Sequence, residues 1–151
     1  MENQEHDRVR CSTSENQNQK IDATILITLE NYKEKNREEI NSRIEKLEKE
    51  WSIERWLELN ASILAFIGVL LGAFLNIWWL LLPSIVLPFL SLHAIQGWCP
   101  PVPVLRALKV RTRREIDWEK FSLKAMRGDF DGMSSSDNVE QIFNRVKINI
   151  N

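Results

Sequence analysis

Apolar and charged positions are strongly segregated along this chain. Residues 59–105 contain no Asp, Glu, Lys or Arg, whereas both flanks are dense in charge. A soluble domain of this size needs charged faces on nearly every element. The uncharged stretch is about twice as long as the roughly 20 residues that cross a ~30 Å hydrocarbon layer. The pattern therefore predicts an all-α integral membrane protein, a helical hairpin of two transmembrane helices with amphipathic cytoplasmic helices before and after it.

The uncharged stretch divides into two spans, residues 57–75 and 77–97, with a turn near Asn76. Trp51, Trp56 and Trp98 would then lie at one interface of the bilayer, and the Trp pair at 78 and 79 at the other, as aromatic belts require. The alternative is a single span over residues 61–82, ended by a proline. That alternative would place the N-terminal helix outside, with no translocation signal to explain it.

Five segments follow from the pattern as a whole. Residues 1–20 are polar and predict a disordered tail, and residues 21–56 predict an amphipathic or short coiled-coil helix. Residues 57–98 form the hairpin, and residues 99–130 a basic exit segment followed by an interfacial helix. Residues 131–151 predict a flexible C-terminal tail with a short helix.

The helix predicted over residues 21–56 carries one apolar stripe. Ile40, Ile44, Leu47 and Trp51 recur at spacings of four, three and four, which places them on one face. Only about two heptads are regular, whereas a sustained coiled coil needs three or four. The stripe thus allows either a short coiled coil that pairs subunits or one amphipathic helix that lies on the membrane or on its own neighbour.

Basic residues follow the second span and no acidic residue interrupts them. This pattern predicts that the exit side is cytoplasmic, so that both termini of a hairpin are cytoplasmic. The same residues are candidates for contact with anionic lipid headgroups, at about 1 kcal/mol each. They are Arg106, Lys109, Arg111, Arg113 and Arg114.

A second soluble helix is predicted after the basic exit. Thr112 and Glu115 have the spacing of a capping box, which predicts that Thr112 starts this helix. Trp118, Phe121 and Ala125 share a face, which suits a helix that rests at the headgroups.

Small residues recur along the first span at helical spacing. Ala61, Ala65, Gly68 and Gly72 lie four, three and four apart, and the two glycines form a G-x-x-x-G step. Such a face either packs against the second span inside one hairpin or forms a dimer contact, and the first interpretation is favoured.

The chain contains two cysteines, Cys11 and Cys99, in very different settings. A structural disulfide between them is not expected, and His93 with Cys99 supplies too few ligands for a zinc site. The prolines at 100, 101 and 103 predict a non-helical, accessible segment, which makes Cys99 a candidate reactive thiol. No cofactor, metal site or catalytic residue is predicted, and 20 basic against 21 acidic residues imply no nucleic-acid partner.

Residues 56–130 resemble the YgaP-like two-helix membrane domains of bacteria, a family of unknown function (DUF2892). The resemblance rests on "ASILAFIGVLLG", "NIWWLLLP", "GWCPPVPVLRALKVRT" and "LKAMRGDF". It implies an inner-membrane hairpin that tends to associate. The family's namesake joins such a hairpin to a rhodanese domain, which suggests Cys99 as a sulfur acceptor, but no rhodanese domain is present here.

The sequence thus predicts a small non-enzymatic bacterial inner-membrane protein that self-associates or recruits a protein partner through its cytoplasmic helices. One alternative is a thiol or sulfur-handling accessory that uses Cys99. A second alternative is a small oligomeric pore, suggested by the paired short spans and His93.

Overall fold

The computed structural model describes residues 7–130, and within that range the regular elements are helices without a strand. They are α1 (Arg8–Cys11), α2 (Glu15–Tyr32), α3 (Arg37–Lys49), α4 (Ile53–Phe74), a 3-10 turn (Ile77–Leu80), α5 (Leu81–Gln96), α6 (Val102–Ala107) and α7 (Arg113–Met126). The all-α prediction is confirmed for these residues. The short helix predicted within residues 131–151 lies outside the described range.

The described residues divide into two compact units. The first comprises residues 7–24 and 51–116, and the second comprises residues 25–50 and 117–130. The first unit contains the two long apolar helices and the segments that enclose their polar ends. The second unit contains α3, the last eight residues of α2 and the larger part of α7.

The first unit is built around a helical hairpin. The 22 residues of α4 extend ~33 Å, and the 20 residues of Ile77–Gln96 extend ~30 Å. Both helices are long and apolar enough to cross a membrane. The predicted turn is present: α4 ends at Phe74, and the side chain of Asn76 accepts a hydrogen bond from the Trp78 N–H at 3.0 Å. A continuous helix over residues 61–82, which the single-span alternative requires, is therefore not formed.

The N-terminal segment differs from its prediction. Residues 8–11 and 15–20 are helical rather than disordered, and Asp7 caps α1 through hydrogen bonds from the Val9 and Arg10 N–H groups. The segment contains few apolar residues, which is why it was predicted to be disordered, but two of its larger side chains are buried. Val9 joins the apolar core of the first unit, and Arg10 is only 3% exposed.

The segment after the hairpin also differs from its prediction. Helix α6 forms at Val102–Ala107 in spite of the prolines, because Pro101 occupies the N-cap and Pro103 lies in the first turn. A helix's first N–H groups have no intrahelical partner, so proline costs little there. Gly97 ends α5 with φ +75°, a conformation that favours glycine.

The residues of the predicted apolar stripe do not all lie on one helix. Ile40, Ile44 and Leu47 lie on α3, whereas Trp51 lies between α3 and α4 in the sequence. The predicted helix over residues 21–56 is interrupted after Tyr32, and a capping box between Asn36 and Glu39 starts α3. Within α3, Ile40, Ile44 and Leu47 are buried, at 1–6% exposure. These three residues are thus covered by the protein itself, whereas Trp51, the fourth residue of the stripe, is 39% exposed.

Candidate functional site

The start of α7 is built by the predicted capping box. The Thr112 N–H donates to Glu115 Oε2 at 2.9 Å, and the Glu115 N–H donates to Thr112 Oγ1 at 3.3 Å. Two N–H groups that the helix cannot satisfy internally are paired in this way. The prediction that Thr112 starts the helix is confirmed, and Glu115 is held at a fixed place in the first unit.

Glu115 lies at the centre of a buried group of charges. Its carboxylate accepts hydrogen bonds from Arg106 Nη1 at 2.7 Å, Arg106 Nη2 at 2.9 Å and Arg10 Nη1 at 2.6 Å. All three side chains are 0–2% exposed. Two guanidinium groups therefore share one carboxylate away from water, where charges are costly unless paired.

Each arginine has a second partner from the N-terminal segment. Arg10 forms a bidentate pair with Asp22, at 2.8 and 2.7 Å, and Arg106 Nη2 donates to Asn18 Oδ1 at 2.6 Å. The amide of Asn18 in turn donates to the Arg10 carbonyl oxygen at 3.0 Å. We refer to Arg10, Asn18, Asp22, Arg106 and Glu115 as the arginine–glutamate cluster.

Thr112 connects the cluster to α1. Its hydroxyl donates to Asp7 Oδ2 at 2.7 Å, while Asp7 Oδ1 caps α1. Both residues are buried. Segments that flank the hairpin on either side are thus joined by hydrogen bonds between residues more than 100 positions apart in sequence.

The electrostatics of the cluster keep its central carboxylate charged. Burial by itself raises the pKa of Glu115, but the hydrogen bonds from Arg106, the Thr112 N–H and Arg10 outweigh it and hold that pKa below its usual value. The cluster therefore joins the N-terminal segment to the chain after the hairpin through an ionised carboxylate.

Cys99 is buried in the apolar core of the first unit. It is 7% exposed and packs with Val9, Ile53, Leu57 and Val102. Burial raises the pKa of its thiol, whereas a reactive cysteine is accessible and has a lowered pKa. The expected accessibility of Cys99 is therefore wrong, because α6 folds over the segment that the prolines were predicted to leave open.

The five basic residues predicted to contact headgroups do not form one surface. Arg106 is 2% exposed within the arginine–glutamate cluster, so its assignment to lipid contact is corrected. Lys109, Arg113 and Arg114 are exposed, and Arg111 is half-buried. The Arg106 side chain is turned inward because Glu115, nine residues later, supplies a buried carboxylate.

The small residues of α4 line its contact with the second long helix. A Cβ added at Gly68 would lie 2.5 Å from Pro83 Cδ, and one at Gly72 would lie 2.6 Å from Leu80 Cδ2. Ala61 is also buried, at 9% exposure, and Ala65 is half-buried. In this structure the two glycines serve contact within one hairpin.

No metal site is evident in the part of the chain that is described. Residues 7–130 contain no group of three or more His, Cys, Asp or Glu side chains that could hold a metal ion. His93 is half-buried, and its Nδ1 has no hydrogen-bond partner.

Sequence reasoning missed Arg10, Asn18 and Asp22 altogether. Only local signals were available. Asp7 could cap a helix that begins at "RVRC", and Asp22 supplies an acidic residue in the helical segment that follows. Neither signal specifies a buried pairing with Arg106 or Glu115.

Comparisons with protein-family models, curated proteins and solved structures find no match. The resemblance to the YgaP-like membrane domains therefore stays a prediction.

Proposed function

We propose that the chain is a small non-enzymatic membrane protein of the bacterial inner membrane. Its hairpin spans the bilayer twice with both termini in the cytoplasm, and its cytoplasmic helices mediate self-association or recruit a protein partner. The observation that carries this proposal is the hairpin itself: two long helices whose apolar side chains are exposed instead of forming a core.

The exposure of the hairpin supports a lipid environment. Only 11% and 6% of the most apolar 18-residue stretches of its two helices are buried. Phe74, Ile77 and Trp78 near the turn are 72–83% exposed. Core helices of a soluble protein bury such residues, and apolar patches of this extent are costly in water. Lipid removes that cost.

The arginine–glutamate cluster supports a common side for the two ends of the hairpin. Residues before α4 and after α5 contact one another directly, as in the pair of Arg10 with Glu115. This direct contact supports a topology in which both ends lie on one side of a bilayer. The exposed Lys109, Arg113 and Arg114 favour the cytoplasmic side and contact with anionic headgroups.

The second unit supplies the surface that we propose for association. Leu26 and Ile27 on α2 are 66% and 64% exposed, although the apolar stripe of α3 is covered. Adjacent exposed apolar side chains next to charged neighbours are typical of weak protein contacts.

Topology is tested by labelling with a membrane-impermeant thiol reagent in intact spheroplasts. The full chain carries Cys99→Ser, so that Cys11 is its single cysteine, and a second version adds Ile77→Cys in the turn. We expect Cys11 to label only after permeabilisation, and the cysteine at 77 to label from outside. Labelling of Cys11 from outside would overturn the cytoplasmic assignment.

Association is tested by crosslinking of the full chain in membranes. Leu26→Ser with Ile27→Ser is expected to reduce either the crosslinked homo-oligomer or the co-purified partner protein. Glu45→Gln, which changes an exposed residue on α3, serves as the control. An unchanged crosslinking and co-purification pattern in the double variant would contradict the use of this surface.

Neither alternative function gains a supporting observation. The thiol accessory requires an accessible Cys99, and this thiol is buried with a raised pKa. The pore requires a polar stripe along the spans, whereas the long helices expose apolar side chains.

A further inference from the structure

A cleft lined by both charged and apolar side chains lies at the open end of the hairpin, within the first unit. Its walls come from α1, the first two turns of α4, the last turns of α5 and the start of α7. Its lining includes Arg8, Glu54, Glu58, His93 and Arg114. We refer to it as the interfacial cleft, because the apolar helices of the hairpin begin and end there. Leu90, on the adjoining turn of α5, also lines it.

The charges of the interfacial cleft balance. Three carboxylates, those of Asp7, Glu54 and Glu58, lie among the guanidinium groups of Arg8, Arg113 and Arg114. A purely basic cleft would select an anion, and a purely acidic one a cation. Charges of both signs around one cleft instead complement a ligand that carries both.

Two of these charged groups remain available for a ligand, whereas two others are already hydrogen-bonded within the protein. Glu54 accepts the Arg113 N–H at 3.1 Å, and Arg8 donates to the Ala94 carbonyl oxygen. Within residues 7–130, by contrast, neither Glu58 nor Arg114 forms a salt bridge, and both are exposed. An acid and a base that line one cleft without an internal salt bridge can each bind an external charge.

His93 also lines the interfacial cleft, and its side chain is half-buried there. The accessible part of its ring can contact a ligand that fills the cleft.

We propose that the interfacial cleft binds the headgroup of a phospholipid that carries a phosphate and a primary ammonium group, the phosphoethanolamine class. The phosphate pairs with Arg114 and Arg8, and the ammonium group donates hydrogen bonds to Glu58 and the neighbouring cleft. The acyl chains continue along the apolar side of the hairpin past Leu90. This assignment rests on the proposed function, since it requires a chain embedded in lipid.

The two other common headgroups fit the same residues less well. A phosphoglycerol headgroup brings a negative charge and no ammonium, so Glu58 would stay uncompensated beside it. A phosphocholine headgroup has a quaternary nitrogen, which cannot donate a hydrogen bond to Glu58. Charge-assisted hydrogen bonds contribute about 1.5–3 kcal/mol, which corresponds to roughly tenfold or more in affinity.

The test is native mass spectrometry of the full chain in detergent micelles with phosphatidylethanolamine, phosphatidylcholine and phosphatidylglycerol of matched acyl chains. We expect the ethanolamine lipid to bind roughly tenfold more tightly than either of the others. Glu58→Gln is expected to abolish the preference over the choline lipid, and Arg114→Gln to weaken the binding of both. Glu45→Gln, which removes an exposed carboxylate from α3, is the matched control.

Three results would overturn the assignment. One is equal binding of the three lipids, and another is an unchanged preference in Glu58→Gln. The third is equally tight binding of soluble phosphoethanolamine and of the lipid, which would show that contacts with the acyl chains contribute nothing to binding. Extraction of the chain from membranes by alkaline carbonate tests the proposed function separately. A chain that resists extraction but lacks the lipid preference refutes this inference alone.

Discussion

Removing the central carboxylate of the arginine–glutamate cluster tests whether the cluster braces the first unit. Glu115→Gln preserves the shape of the side chain and removes its charge. The carboxylate accepts four hydrogen bonds, two from Arg106, one from Arg10 and one from the Thr112 N–H. The amide oxygen of Gln can still accept some of these hydrogen bonds. Its N–H₂ group is itself a donor and cannot accept the others.

The size of the effect follows from burial. Removal of one partner from a buried ion pair typically costs about 3–5 kcal/mol, because the remaining charge stays desolvated. Arg10 keeps Asp22 as a partner, whereas Arg106 keeps only the neutral Asn18 and a weak contact with the Val110 carbonyl oxygen at 3.5 Å. At about 2–4 °C per kcal/mol for a chain of this size, the unfolding midpoint should fall by roughly 6–20 °C.

The assay is thermal unfolding of the full chain in detergent micelles, followed by tryptophan fluorescence. Glu45→Gln, which removes an exposed carboxylate on α3 that pairs with Lys49 at 3.6 Å, should leave the midpoint unchanged. A triple variant, Glu115→Leu with Arg10→Met and Arg106→Met, should recover most of the loss, since apolar replacement of a whole buried ionic group is often neutral. A midpoint in Glu115→Gln equal to that of the unchanged chain would refute the bracing role.

Three further predictions follow from the same structure. Because the folded-state pKa of Glu115 is lowered, its stabilisation is fully present above the unfolded pKa of about 4.3 and is lost as the pH falls through the lower folded pKa. Melting midpoints should therefore drop more steeply between pH 5 and 3 in the unchanged chain than in Glu115→Gln, and parallel curves would contradict this. Gly68→Ala should lower the free energy of unfolding by about 1–3 kcal/mol. This loss should exceed that of Gly72→Ala, because the methyl group added at 72 meets a flexible leucine side chain. The same melting assay compares the two variants, and equal midpoints would contradict the contact. A thiol reagent at neutral pH should modify Cys11 rapidly and Cys99 only after unfolding, and equal labelling rates in the folded protein would contradict the burial of Cys99.

The parts of the fold that follow local rules could be predicted from the sequence. The two long helices follow from an uncharged run of fixed length, and the turn from an Asn before two tryptophans. The start of α7 follows from the spacing of Thr112 and Glu115. In each case the interactions that form the element join residues close together in the sequence. The local sequence pattern is therefore enough to predict it.

The contacts of the cluster could not be predicted in this way. Arg10 and Glu115 are separated by 105 positions, and nothing local distinguishes Arg106 from the exposed basic residues that follow it. A basic run after a membrane span is adequately explained by orientation alone. Only the folded hairpin, which returns the chain to its starting side, places Glu115 next to Arg106 and Arg10.

The error over Cys99 has a different origin. A proline inside a helix breaks it, but a proline in the first turn favours helix formation. The run at 100–103 was interpreted by the first rule, and the structure follows the second. The four residues of Val102–Leu105 that follow the N-cap contain no strong helix breaker besides Pro103, and Val102 is buried in the same apolar core as Cys99.

The long sequence separation within the arginine–glutamate cluster has a consequence for biosynthesis. When α1 and α2 leave the ribosome, Asp22 is at hand for Arg10, but Glu115 has not yet been made. The cluster can close only after both apolar helices have been synthesised and the chain has come back to the side from which it started. Its closure therefore depends on a completed hairpin: without Glu115, Arg10 still pairs with Asp22, whereas Arg106 loses its carboxylate partner.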